Sequence, residues 1–301
     1  MQLQPMPLPF EPASLHGLSE RLIASHHANN YSGAVKRLNA LRAQLAGLEP
    51  ASAPGFAWNG LKREELIAMN SMLLHELYFA SLGDGEQPMD PAWTLALAAN
   101  FGSVERWHAE FSACGKALAG GSGWVLLTFL PREGTLVNQW AADHTHAVAG
   151  GVPLLALDMY EHAYHIDYGA AAAGYVDAFM RNIRWQAVFQ RYQAAVHAAS
   201  EPLACEPQQI DNDLVLDVRR EGPFSQSQEM IAGAQRRDPA AIAEWSGELD
   251  PRRAVVVYCV YGHEVGRATA LRLRAAGLKA RFLRGGMSDW QQAGRPLQPK
   301  L

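Results

Sequence analysis

The chain has 301 residues, long enough that two hydrophobic cores are expected rather than one, and its 49% hydrophobic and 19% charged composition excludes a disordered or coiled-coil chain. A formal net charge of −4 gives no reason to expect nucleic acid or an anionic membrane as partner. No apolar run approaches 18 residues, and three prolines interrupt residues 1–10 where a leader peptide needs an apolar stretch, so a cytoplasmic protein that spans no membrane is expected.

In chain order, the first predicted element is a helix from Leu18 to about Leu48. Ser19 caps it, and apolar residues return at three- and four-residue steps through Leu22, Ile23, Val35, Leu38 and Leu41. The Pro-, Ser-, Gly- and Ala-rich stretch from Glu49 to Gly60 predicts a loop. A second helix, Lys62 to Leu82, carries His75 and stops at the breaker Gly83-Asp84-Gly85. Two such helices form an antiparallel hairpin, the natural way for His26 and His75 to face one another. After Pro88 a helical stretch to about Leu118 leads to Gly120-Gly121-Ser122-Gly123-Trp124. Strands follow at Val125 to Leu130 and Thr135 to Trp140, a hairpin about Pro131-Arg132-Glu133-Gly134, and at Val152 to Leu157, which runs into Asp158. Further helices run from about Tyr164 to His197. Glu201 to Asp213, polar and holding Pro202 and Pro207, reads as a linker. Beyond it Leu214 to Val218 and Ala254 to Tyr258 are apolar strands, and a helix from Glu264 to Ala276 leads to Ala280 to Leu283, a parallel α/β unit. The three cysteines, Cys114, Cys205 and Cys259, are odd in number and widely spaced, which is no disulfide framework and fits a reducing compartment. Cys114, in an apolar helical stretch, is expected in the core, and Cys205 in the linker.

His26, His75, Asp158 and His162 are the candidate ligands of a single transition-metal ion. Three imidazoles and a carboxylate suit iron, manganese or zinc better than copper(I) or calcium. Asp158-Met159-Tyr160-Glu161-His162-Ala163-Tyr164 sets two of the ligands four residues apart where an apolar strand ends, a rigid terminus on which sites are built. Among eleven histidines any single one is more often a core or surface residue; the combination is what points to a metal.

The segments Ser19 to Asn39, His75 to Leu82, Gly121 to Trp124 and Asp158 to Tyr168 resemble the iron/manganese superoxide dismutases, whose marker is D-x-W-E-H-A-Y. The resemblance covers about residues 5–196. It implies one iron or manganese ion per subunit, held by His26, His75, Asp158 and His162 with a solvent molecule completing the site, and superoxide as substrate. The implied cycle oxidises one superoxide to dioxygen and reduces a second to hydrogen peroxide. Glu161 by resemblance bonds the ligand His of a second subunit, which implies a homodimer through the region of Glu161 and His162. The implied fold is α+β: a helical-hairpin domain over residues 1–88 and an α/β domain over 89–200.

The surroundings depart from the family. An ungapped alignment puts Asn30 where a gateway His is usual and Ala34 where a gateway Tyr is usual. Aligning Tyr31 with that Tyr instead puts Ile23 on the ligand position, which cannot coordinate. Tyr31 therefore enters as a catalytic candidate only by folding back toward Ala34. Tyr160 replaces the motif Trp, and His165 the Tyr that follows the A-Y pair. No Gln stands near His75 to bond the metal solvent; Asp143-His144 resembles members that use a His there, and the alternative is an exposed loop imidazole beside His146.

A second site stands at Cys259, which ends the Ala254 to Tyr258 strand and precedes a helix, where backbone N–H groups favour a thiolate. The stretch from Asn212 to Pro296 resembles a rhodanese domain, assigned to residues 212–301 after a linker at 201–211. Leu216-Asp217-Val218-Arg219 matches its opening motif, Cys259 its sulfur carrier, and Gly285-Gly286 with Trp290 its closing motif. The family's loop, C-x-x-G-x-R, here ends in Glu264, a carboxylate expected to repel thiosulfate. Besides dismutation, two functions stay open: sulfur transfer at Cys259 with an ancillary metal domain, and a non-catalytic metal- or redox-sensing protein.

Overall fold

Ser19 opens the first helix by accepting the Leu22 N–H on its hydroxyl at 3.1 Å, an N-cap of the expected kind. The computed structural model describes residues 2–83 and 88–300. The helix predicted as one element is three: α1 (Glu20–Ser25), a π-helical segment (His26–Tyr31) and α2 (Ser32–Ala46). A π turn carries more residues than an α turn, so side chains five apart come onto one face. Both His26 and Tyr31 are buried, and the π segment turns them toward one side of the chain.

The next helix, α3 (Gly55–Ser81), begins earlier than expected, since residues 55–60 are helical rather than loop. Pro54, extended at ψ 144°, sets its start, and the Gly- and Ala-rich first turns hide it from a reading of composition. Helices α2 and α3 pack as the expected hairpin. Of the breaker after α3, Asp84 and Gly85 lie outside the described residues; Leu82 bridges Ile183. The stretch expected as one helix divides into α4 (Pro91–Phe101) and α5 (Val104–Ala117), parted at Gly102 with φ +89°. Strands β1 (Trp124–Leu130), β2 (Thr135–Ala141) and β3 (Val152–Asp158) form a sheet in the order β2-β1-β3. Helices α6 (His165–Tyr168), α7 (Ala172–Arg181) and α8 (Trp185–Ser200) follow.

The linker expected over residues 201–211 is not free chain. It contains β4 (Ala204–Cys205), which pairs in parallel with a later strand, Ala204 opposite Phe282 and Cys205 opposite Leu283. Two residues are too few to show a strand's alternation, so the sequence does not mark it. There follow β5 (Leu214–Asp217), α9 (Glu221–Gln226), β6 (Glu229–Ile231), β7 (Gln235–Arg236), α10 (Ile242–Trp245), β8 (Val255–Tyr258), α11 (Glu264–Ala275), β9 (Ala280–Leu283), α12 (Gly286–Gln292) and β10 (Leu297–Pro299). The parallel sheet runs β4-β9-β8-β5-β7, and β10 pairs with β6. Val255 and Val257 enter one core cluster while Val256 and Tyr258 enter the other. The sheet is buried on both faces, which is why its strands read as unbroken apolar runs.

The chain forms two compact units. One holds the described residues of Met1–Pro91, Glu105–Thr128 and Asn138–Phe189, with a core that includes Trp107, Phe111, Trp124, Leu157 and Phe179. The other holds those of Ala92–Val104, Phe129–Val137 and Gln190–Leu301. No helix among the described residues is long and apolar enough to cross a membrane.

Candidate metal centre and thiol site

Four side chains from four elements meet inside the first unit. His26 starts the π segment, His75 lies two turns from the end of α3, Asp158 ends β3, and His162 sits in the short turn that follows. One donor atom from each lies within 4.8 Å of all the others. Asp158 Oδ2 is 3.2 Å from His26 Nε2, 3.4 Å from His75 Nε2 and 3.1 Å from His162 Nε2. His26, His75 and Asp158 are buried; His162 is partly open. The strand orients the carboxylate, because the Tyr160 N–H donates to Asp158 Oδ1 at 2.9 Å and leaves Oδ2 for the histidines. Met159 N–H donates to Gly123 O at 2.9 Å, tying the strand end to the Gly-rich turn before β1.

The electrostatics of this cluster call for a cation at its centre. The His75 Nδ1–H donates to the Ser71 carbonyl at 2.6 Å, and burial holds the ring's pKa down to about 3, so its Nε2 carries a lone pair. That lone pair faces an anionic oxygen and, at 3.4 Å, the Nε2 of His162. Burial likewise lowers the His26 pKa, against the opposing pull of Asp158. Burial disfavours the charged form of Asp158, yet the histidines around it outweigh that and keep it ionised. For His162 burial also works against the charge, and the Asp158 carboxylate raises its pKa in spite of it. Acceptors facing acceptors in a buried site are costly unless a positive charge sits among them, a proton on His162 or a metal ion, and this donor set fits iron or manganese.

An aromatic wall surrounds the donors. His144, drawn from a loop, accepts the Trp124 indole N–H on Nδ1 at 2.9 Å, so its own proton lies on Nε2. It stacks on Tyr160 at 4.8 Å, and Tyr160 stacks on His162 at 5.5 Å. Asn70 Nδ2 holds the loop by donating to the His144 carbonyl at 2.6 Å. His144 thus stands partly buried, its ring 6.4 Å from that of His75, rather than as an exposed loop imidazole. Tyr31 is buried 6.4 Å from the His75 ring, turned there by the π segment. Its hydroxyl donates to Glu76 Oε1 at 2.9 Å and accepts the Met6 N–H at 2.8 Å. Burial pushes the phenol up to about 12. Glu76 and Asn70 were missed in the sequence, where each is an unremarkable helix residue; adjacency to His75 was the one signal for Glu76.

In the second unit Cys259 follows β8 and is buried. Backbone N–H groups of Gly266, Gly262, His263 and Tyr261 bond its sulfur and favour the thiolate, although burial outweighs them and raises the thiol pKa. The loop is clamped from below: Met287 N–H donates to Cys259 O and Ser288 N–H to Val260 O, both at 2.9 Å. Gly286 permits this, since a Cβ there would stand 2.4 Å from Cys259 O. Asp217 and Arg219 of the opening motif pair with each other, buried, with the Tyr258 hydroxyl donating to Asp217 at 2.8 Å. Glu264 is buried and stands 3.5 Å from Arg220, so its charge is paired. Cys205 is buried in the sheet, not in a linker, and Cys114 is half-buried rather than in the core.

Three imidazoles and a carboxylate, gathered by a helical hairpin and a strand end, define a class of mononuclear metal protein. Residues 90–191 match the family of iron/manganese superoxide dismutases, C-terminal domain, and residues 200–293 match the rhodanese-like domain. The chain is 68% identical over 190 residues to the iron superoxide dismutase of Cupriavidus metallidurans, a match spanning 63% of this chain and 96% of that protein. It is 32% identical over 198 residues to manganese superoxide dismutase 1 of Halobacterium salinarum, spanning 64% and 96%. With the iron superoxide dismutase of Aquifex aeolicus the identity is 31% over 197 residues, spanning 63% and 91%. The chain belongs to the iron/manganese superoxide dismutase family, and a rhodanese-like domain follows in the same polypeptide.

Proposed function

We propose that the chain dismutes superoxide to dioxygen and hydrogen peroxide at one iron or manganese ion per subunit, held by His26, His75, Asp158 and His162. The observation that carries this is the meeting of four donor atoms within 4.8 Å. Relatives named for iron and for manganese keep both metals in the proposal. Bound there, the ion supplies the one-electron exchange with superoxide. The protein's own residues do the rest. Asp158 and the neutral imidazoles hold the ligand field rigid in a buried setting, and Tyr31 and His144 handle protons. Tyr31 stays protonated at neutral pH with its proton resting on Glu76, and it serves as a donor by turning that O–H from Glu76 to the site; the Nε2–H of His144 is a second one. Tyr31→Phe is expected to lower turnover on the order of 10²-fold at unchanged metal content. Stopped-flow superoxide decay checks this, and an unaltered rate removes Tyr31 from the proton path.

The subunits pair through the region of Glu161 and His162, where Glu161, His165 and Ile166 are exposed. Sedimentation velocity should return about twice the 32.9 kDa of one chain, and the mass of a single chain contradicts the pairing. Three free thiols support a reducing, cytoplasmic compartment. A second activity, sulfur carriage at Cys259, is favoured by the four N–H groups bonding its sulfur.

A further inference from the structure

Arg267 lies one turn into α11 from Glu264 and is only 5% exposed. Its guanidinium sits 4.2 Å over the Phe282 ring. Nη1 donates to Ser200 Oγ at 3.1 Å and pairs with Glu201 Oε2 at 3.0 Å, while Nε donates to the Gly262 carbonyl at 2.9 Å. The last contact reaches the thiol. Gly262 C=O and His263 N–H belong to one rigid trans peptide, in which the two groups point in opposite directions. A carbonyl drawn to Arg267 therefore sends the His263 N–H the other way, and that N–H is one of the four bonding Cys259 Sγ. Gly262 stands at φ +68°, and a Cβ there would come within 2.8 Å of Gly285 N. Glycine is required, and glycine alone does not fix the peptide's orientation.

We propose that Arg267 is a positioning residue for the Cys259 thiolate: by gripping the Gly262 carbonyl it locks the 262–263 peptide with its N–H on the sulfur. This rests on the reading of Cys259 as a sulfur carrier. Glu264 occupies the loop position where the rhodanese motif has a cation, and it is turned to Arg220. The cation that orders the loop is instead one helical turn further on, holding the Gly262 carbonyl.

The test combines two readouts on the full chain. One is the pH profile of Cys259 alkylation by iodoacetamide, read by peptide mass spectrometry so that Cys114 and Cys205 are scored apart. The other is amide hydrogen exchange at His263. Arg267→Met, which keeps the apolar stem over Phe282, is expected to raise the alkylation midpoint by about one pH unit, roughly tenfold less thiolate at neutral pH. Exchange at His263 should rise together with it, by at least about tenfold. A folded Arg267→Met with either readout at the wild-type value overturns the proposal: unchanged alkylation leaves Arg267 a purely structural residue, and unchanged exchange leaves it a remote charge. If Arg267→Met does not fold, Arg267→Lys is read the same way, with smaller shifts in both expected and no shift in either overturning it. Failure of wild-type Cys259 to take up sulfur removes the carrier reading, while the alkylation profile still decides the part Arg267 plays.

Discussion

His162→Ala is expected to leave the purified chain without its metal. His162 Nε2 stands 3.1 Å from Asp158 Oδ2 on the one partly open side of the cluster, so its loss removes a quarter of the donor set and opens the rest to water. A metal that binds only the folded chain stabilises it by about 4 kcal/mol at a thousandfold excess over its dissociation constant. Losing it should lower the melting midpoint by about 10 °C for a domain of this size. Metal analysis and calorimetry check both; full occupancy in the variant refutes the ligand assignment. Acid should act in the same direction. Folded His75, held neutral by burial down to about pH 3, takes up protons in the unfolded chain near 6.5. Its contribution is intact above that pH and is lost progressively as pH falls from about 6.5 toward 3. His162, whose pKa Asp158 raises against burial, works the other way in the absence of metal, and its proton competes with the ion.

Cys259→Ser is expected to abolish sulfur uptake. The Cys259 thiolate attacks the outer sulfur of a small thiol persulfide; the S–S bond to the carrier breaks, the carrier leaves as a thiolate, and Cys259 holds the new persulfide. Intact-mass spectrometry after exposure to such a donor should show one added sulfur on the wild type and none on Cys259→Ser. Equal uptake by both shifts the chemistry to another thiol; no uptake by either leaves the domain without a sulfur-carrying role. The serine hydroxyl fits the same loop but is not ionised at neutral pH, so the variant tests the nucleophile and leaves the clamp of Met287 and Ser288 on the loop carbonyls in place.

What the sequence made legible follows from where its signals are strong. Asp158 and His162 stand out because an apolar run ends on them, and His26 and His75 because two helices joined as a hairpin turn them toward one another. The Gly285-Gly286 pair was readable as a motif, and its reason is the close approach of Cys259 O to Gly286. The placement of Tyr31 was not legible, although the residue was a candidate. Tyr31 is brought toward His75 by a π segment, which leaves no mark in a periodicity of three and four, and Glu76 has no pattern of its own. β4 escaped because a two-residue strand has no period. The pairing of Glu264 was not legible for a different reason: its partner Arg220 lies 44 positions earlier in the chain, and only the fold brings the two charges together.

The most direct measurement loads the chain separately with iron and with manganese, and determines metal content and superoxide dismutation rate on the same preparation. With at least one metal, the rate should rise in proportion to occupancy toward one ion per subunit and exceed spontaneous decay by orders of magnitude. Full occupancy by either metal with decay no faster than in buffer contradicts dismutation and leaves a metal- or redox-sensing protein in its place.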